Sequence, residues 1–103
     1  MENYIIGTVP KVNGERDYKS KFGYSLPIHT KTLIEDYFKK YSEPSACVPS
    51  YIFDPIMGKE TNILENEYTD GTYTWFESWK YYFIKYDLKL NDDFVQYVLE
   101  QTK

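Results

Sequence analysis

A hairpin signal lies in the second half of the chain, at residues 67–75: Glu67-Tyr68-Thr69-Asp70-Gly71-Thr72-Tyr73-Thr74-Trp75. Asp70 and Gly71 separate two short runs of aromatic and β-branched residues, and both residue types tolerate the positive φ angles of a tight turn. The pattern predicts strands over 61–69 and 72–75, joined by a two-residue turn.

This turn also predicts which side chains face each other. Thr69 is expected opposite Thr72 and Tyr68 opposite Tyr73, and opposed residues point to the same side of a sheet. The mainly apolar side belongs in the core and carries Leu64, Asn66, Tyr68, Tyr73 and Trp75. The other side is expected in water and carries Glu65, Glu67, Thr69, Thr72 and Thr74.

Hydrophobic periodicity predicts three helices. The first takes Thr30 as its N-cap and runs to about Ser42, because apolar residues recur on one face of a 3.6-residue period. The second covers about 76–86. The third follows Asn91 as its N-cap and ends near Gln101.

The remaining β-type runs lie at 4–9 and at 48–53, and a turn follows over 54–58. Residues 10–29 are mostly loop-like, with a short strand expected at Phe22 and Tyr24. The predicted fold class is α+β, with about three helices packed on one face of a small antiparallel sheet. That sheet is a three-strand meander, which the N-terminal strand can extend. At this length, residues 1–103 form a single domain with one core.

Aromatic residues make up 19% of the chain, and 12 of its residues are tyrosine. A chain this rich in aromatic residues should fold, because disordered chains are poor in them. Tyrosine suits the margin of a core, where its hydroxyl group reaches water, and it is equally favoured in protein interfaces.

The net charge of −4 is uneven along the sequence. Residues 1–52 hold seven basic against six acidic residues, whereas residues 53–103 hold five against ten. Nucleic acid is an unfavourable partner for such a chain, and a basic protein is a favourable one. The simpler interpretation, that the charge only maintains solubility, stays open.

The sequence indicates a cytoplasmic protein. Cys47 is the only cysteine, so the chain lacks the internal disulfides that staple small secreted domains. The N-terminal residues do not resemble a signal peptide, and no run approaches the roughly 20 apolar residues of a membrane span.

No motif for catalysis, for a metal or for a cofactor stands out. His29 is the only histidine, and with Cys47 it falls short of a metal-ligand set. We expect His29 at the surface or at a helix end, and Cys47 as a buried, inert thiol. The glycines are scattered and form no phosphate-binding loop. The chain is therefore not expected to be an enzyme.

An aromatic block follows the hairpin: Trp75, Trp79, Tyr81, Tyr82, Phe83 and Tyr86. Its helical spacing favours packing in the core over a platform for a nucleotide or a sugar.

A resemblance covers about the last half of the chain. The residues Thr69-Asp70-Gly71 with Trp75, then Tyr81-Tyr82 and Lys85-Tyr86, then Phe94-Val95, form a pattern similar to that of small bacterial toxin-immunity proteins. The chain has Asn91 where that pattern tends to have proline. The resemblance implies a protein that neutralises a toxin by binding it.

We therefore expect a cytoplasmic immunity or inhibitor protein that binds a basic toxin domain, such as a nuclease, through an acidic surface. The expected contact residues are Glu60, Glu65, Glu67, Asp70 and Tyr51, with Asp54 at the rim. Two alternatives remain open. One is a self-associating structural or regulatory module, and the other is a small-molecule-binding domain or enzyme with a pocket lined by Trp75, Trp79 and paired carboxylates. The oligomeric state is left open.

Overall fold

The computed structural model describes residues 3–5, 11–12, 15–16 and 18–101. In these residues the chain has an α+β fold. Its helices are α1, α2 and α3, which span Ile28–Lys40, Glu77–Tyr86 and Asp92–Gln101, and a short 3-10 helix covers Tyr18–Lys21. None of the described helices is long and apolar enough to cross a bilayer.

The strands of the described residues are β1 Asn3–Tyr4, β2 Lys11–Val12, β3 Glu15–Arg16, β4 Tyr51–Asp54, β5 Lys59–Leu64, β6 Glu67–Thr69 and β7 Tyr73–Phe76. β4 and β5 form one antiparallel hairpin, and β6 and β7 form another. β1 runs parallel to β7 on its other edge, and β2 pairs with β3. Most of the predicted N-terminal strand, 4–9, lies outside the described residues.

The expected three-strand meander is wrong, because the predicted strand 61–69 is interrupted at Glu65 and Asn66. The backbone carbonyl of Asn66 accepts a 2.8 Å hydrogen bond from the N–H of Glu77, and the Glu65 carboxylate accepts a 2.7 Å bond from the N–H of Ser78. The first N–H groups of a helix have no partner within it. Residues 65 and 66 satisfy those groups in α2 instead of continuing the sheet, so the two hairpins are separate.

The register of the second hairpin also differs from the expected one. Thr69 pairs with Thr74, and Tyr68 pairs with Trp75. A slip of two residues keeps each side chain on its side of the sheet, so Tyr68 and Trp75 lie in the core as expected. Thr74 was expected in water and is fully buried. Both faces of β7 are therefore covered.

The side chain of Asp70 accounts for the slip. Its Oδ1 accepts hydrogen bonds of 2.8 Å from the N–H of Thr72 and 2.7 Å from the N–H of Tyr73. Asp70 therefore precedes the turn, as Asp commonly does when its carboxylate binds the following amides. Gly71 becomes the first central residue of the turn and supplies its positive φ angle, 96°.

The helices lie close to their predicted bounds, except at the first start. α1 begins at Ile28 behind Pro27 and has no side-chain cap, so the expected N-cap role of Thr30 is wrong. Phe22 lies in no strand. The next two amides, of Gly23 and Tyr24, bind carbonyls at the C-terminal end of α2.

Trp75 lies at the centre of the core. Its ring is 5.3 Å from that of Phe38 on α1 and 5.8 Å from that of Phe94 on α3. Trp79 and Phe83 of α2 are buried in the same cluster. The prediction that the aromatic block packs in the core is confirmed for these residues, and the core joins all three helices to β7.

Candidate partner-binding surface

In the hairpin of β4 and β5, β4 has one side against the protein and one side in solvent, whereas β5 is largely exposed on both sides. Side chains alternate along a strand, and in β4 this alternation separates Ile52 and Asp54, which are buried, from Tyr51 and Phe53, which are exposed. The usual amphipathic strand shows polar residues to water. This strand shows two aromatic rings to water and buries a carboxylate.

The buried carboxylate of Asp54 fastens the hairpin to α2. Its Oδ2 accepts hydrogen bonds of 2.7 Å from the Tyr81 hydroxyl and 2.6 Å from the Tyr86 hydroxyl. Its Oδ1 accepts bonds of 2.9 Å from the N–H groups of Ile56 and Met57 in the turn. A single side chain thus orders the turn and joins it to the helix.

These bonds also keep Asp54 ionised. Burial alone would raise the pKa of Asp54, but the hydrogen bonds from Tyr86, Tyr81 and the two turn amides together hold that pKa well below its usual range. The ammonium group of Lys85 lies 3.7 Å from Oδ2. Asp54 is therefore ionised at neutral pH.

The solvent side of the hairpin is mainly apolar, and we call it the outer face: Tyr51, Phe53, Glu60 and Leu64. Tyr51 pairs with Leu64 and Phe53 pairs with Glu60, so the four side chains project to the same side. Tyr51 is 48% exposed, Phe53 is 53% exposed and Leu64 is 44% exposed. Ile56 and Met57 extend the exposed apolar surface at the tip.

The exposure is concentrated in this hairpin. Six of the ten large hydrophobic side chains that are exposed among the described residues lie between residues 51 and 64. Scattered apolar side chains on a surface need no explanation, but a contiguous apolar patch with a polar rim is typical of a binding site. The outer face is the strongest candidate for a functional surface in the described part of the chain.

A groove of about 460 Å³ lies beside the hairpin and α2, lined by Ile63, Glu77, Lys80, Tyr81, Ile84 and Lys85. Its charged groups are engaged locally, since Lys80 lies 2.9 Å from Glu77 and the Lys85 ammonium donates to the Tyr81 hydroxyl. It is not the pocket of the small-molecule alternative. That pocket would be lined by Trp75 and Trp79, and both are buried in the core.

Of the six contact residues expected from the sequence, only Tyr51 and Glu60 lie on the outer face. Glu60 is exposed and forms no ion pair within the described ranges. Asp54 was expected at the rim of the surface, but its side chain has no exposed area. The expectation for Asp54 is therefore wrong, because its carboxylate binds Tyr81 and Tyr86 within the chain.

The other three acids are partly buried and bind within the chain. Glu65 accepts the N–H of Ser78, and Glu67 lies beside Ser45. Burial raises the pKa of Glu65, as does the nearby carboxylate of Glu77, against the hydrogen bonds from Ser78. Glu65 and Glu67, which were expected on the solvent side, are therefore only partly exposed, and their role as partner contacts stays a prediction.

Asp70 forms a short contact with a core tyrosine. The hydroxyl group of Tyr37 donates a 2.5 Å hydrogen bond to Oδ2 of Asp70. Burial raises the pKa of Tyr37 far above its usual value, and the bond to the Asp70 carboxylate raises it further. Asp70 thus joins the β6–β7 turn to α1.

His29 and Cys47, the two residues considered as metal ligands, lie in no group of ligating side chains within the described residues. His29 is exposed near the start of α1. Cys47 was expected to be buried and is exposed, because it lies in the loop before β4 and not inside a strand. The described residues contain no group of three or more His, Cys, Asp or Glu side chains arranged to hold a metal ion.

Sequence reasoning missed Phe53 and placed Leu64 on the wrong side. The sequence did contain a pattern that predicts an exposed apolar side chain. Residues 51–53 are all apolar, and side chains alternate along a strand, so one of the two faces of a two-stranded hairpin places apolar residues in solvent. The expected meander placed 48–53 in a larger sheet with helices packed on it, and so gave no reason to expect Phe53 in solvent.

Searches against models of protein families, curated proteins and solved structures each found no significant match to this chain.

Proposed function

We propose that this protein binds a protein partner stoichiometrically through the outer face of the β4–β5 hairpin, and that it acts as a cytoplasmic inhibitor of a bacterial toxin, such as a nuclease. The observation that carries the binding function is the exposure of Tyr51, Phe53 and Leu64 on one ordered face. The inhibitor role rests on the resemblance of residues 69–95 to toxin-immunity proteins.

The outer face has the composition of a binding centre. Aromatic residues are enriched in protein interfaces, and a few of them supply most of the binding energy. Asp54 and its two tyrosine partners hold the hairpin on α2 before any partner arrives. A preformed surface loses less conformational entropy on binding, so more of the contact energy appears as affinity.

Charge favours a basic partner. Glu60 contributes an unpaired carboxylate to an otherwise apolar surface, and the chain carries a net charge of −4. Long-range attraction between an acidic and a basic protein raises the rate of association. In this proposal the protein acts by covering a site on its partner, and it carries out no reaction itself.

The first test is co-expression with the product of the gene adjacent to its own. We expect the two proteins to co-purify in a 1:1 complex and the partner's toxicity to be suppressed. Replacement of Glu60 by lysine should slow association, whereas Glu100→Lys, an exposed acid on α3, should have a smaller effect. Failure of the wild-type proteins to associate would count against the proposal.

Self-association is the second candidate, because the same apolar face suits a second copy of the chain. Light scattering at several protein concentrations separates the two functions. A monomer at every concentration supports the inhibitor, whereas a dimer that Phe53→Ala dissociates supports the self-associating module.

A further inference from the structure

The two edges of the β4–β5 hairpin differ in what they contact. The outer edge of β4 lies against α2, where the hydroxyl group of Tyr82 donates a 2.5 Å hydrogen bond to the carbonyl of Phe53. β5 pairs only with β4 among the described strands, and five of its six residues are exposed. Its other edge is a strand edge open to solvent.

The hydrogen bonds of the hairpin show which groups lie on that open edge. The carbonyl of Phe53 points away from β5, so Phe53 and its partner Glu60 form a non-hydrogen-bonded pair. The N–H of Glu65 donates to the carbonyl of Ser50, so the backbone groups of Glu65 point across the hairpin and not to its open edge. The register shifts between the pair of Phe53 with Glu60 and the pair of Tyr51 with Leu64, because residues 51–53 of β4 lie across from residues 60–64 of β5. Glu60 and Leu64, at the two ends of this irregularity, present their N–H and C=O groups outward, and alternation along the strand places those of Asn62 outward as well.

We propose that this edge of β5 binds an extended segment of the protein partner as an added antiparallel strand, with a basic residue across from Glu60 and an apolar residue across from Leu64. This inference rests on the proposed function and specifies how the partner is recognised. Strand addition to an exposed edge is a recurring recognition mode, in which backbone bonds give affinity and alternate side chains give specificity.

The charge on the outer face argues for a different protein and not for a second copy. Residues opposed across two strands share a face, so the residue across from Glu60 lies on the outer face. Lys59 is the only basic residue of β5, and it points to the opposite side because it is adjacent to Glu60. No self-pairing of two β5 strands therefore places a cation across from Glu60.

The test is amide hydrogen exchange by NMR on the complex with the product of the adjacent gene. We expect the amides of Glu60, Asn62 and Leu64 to exchange freely in the unbound protein and at least tenfold more slowly in the complex. Those of Thr61 and Ile63 should change little. Thr61 faces β4, where its hydroxyl donates to the carbonyl of Ile52, and the N–H of Ile63 donates to the hydroxyl oxygen of Thr61. Alternating protection is the signature of an added strand, whereas docking on the outer face alone gives no alternation.

A matched pair of variants gives a second readout. Asn62→Pro removes the outward N–H, and proline is tolerated on edge strands where that group faces solvent. Asn62→Ala keeps the N–H. We expect Asn62→Pro to weaken binding at least tenfold and Asn62→Ala less than threefold.

The outcomes separate this inference from the proposed function. Uniform or absent protection in a complex that Phe53→Ala still disrupts would overturn strand addition and leave the proposed function intact. Alternating protection in a dimer of the free protein would show a second copy as the occupant and would overturn the partner assignment. No complex with the neighbouring gene product would count against both.

Discussion

The hydroxyl group of Tyr86 donates a 2.6 Å hydrogen bond to the buried carboxylate of Asp54, 32 residues earlier in the chain. This bond joins the last residue of α2 to the hairpin that carries the outer face. Tyr81 makes a second such bond to the same oxygen, from a position five residues earlier in the helix. Two of the hydrogen bonds that hold the hairpin on α2 therefore end on a single carboxylate.

Replacement of Asp54 by alanine should lower the free energy of unfolding by about 2 kcal/mol or more, because two hydroxyl and two N–H groups lose their acceptor. Urea denaturation monitored by tryptophan fluorescence measures the change. Glu60→Ala is the matched control on the same hairpin, and it should change stability by about 0.5 kcal/mol or less, as an exposed residue does. Equal losses of unfolding free energy in the two variants would show that Asp54 does not hold the hairpin on α2.

The low pKa of Asp54 predicts a loss of stability in acid. Its pKa is below that of the unfolded chain, so its contribution is fully present above about pH 4 and is lost as the pH falls through the folded value. Denaturation curves between about pH 5 and pH 2 should therefore be steeper in pH for the wild type than for Asp54→Asn. Parallel pH profiles would contradict this prediction.

Tyr68 predicts the opposite dependence in alkali. Its hydroxyl donates a 2.8 Å bond to Glu77, and burial together with that bond to the carboxylate raises the pKa of Tyr68 to about 12. The neutral phenol is the form that the fold favours. Its stabilisation is fully present below about pH 10, the unfolded value, and is lost as the pH rises through the folded value.

Stability measured between about pH 9 and pH 11 should therefore fall less in Tyr68→Phe than in the wild type. Tyr24→Phe, at an exposed position, is the control and should follow the wild-type curve. A Tyr68→Phe curve that matches the wild type would contradict the prediction.

The helices and the α+β class could be predicted because their signals are local. The apolar period that gave α2 and α3 lies within each segment, and the structure places both helices within about a residue of the predicted bounds. The sides of Tyr68 and Trp75 were also predictable, since a slip of two residues leaves sidedness unchanged.

The sheet arrangement and the site depended on contacts between distant residues. Glu65 leaves its strand because the start of α2 needs an acceptor, and Asp54 is buried because Tyr81 and Tyr86 lie 27 and 32 residues away. A count of acids along the sequence does not distinguish a carboxylate that meets a partner from one that meets its own chain. For this reason Asp54 was expected at the rim of a surface, whereas the structure buries it.

The affinity of Phe53→Ala for the product of the adjacent gene, measured by isothermal titration calorimetry, tests the binding role of the outer face most directly. The matched control is Ile28→Ala, which removes an exposed apolar side chain from α1. We predict at least a tenfold loss of affinity for Phe53→Ala and none for Ile28→Ala, with both variants as stable as the wild type. Wild-type affinity in Phe53→Ala would contradict the assignment of the outer face as the binding surface.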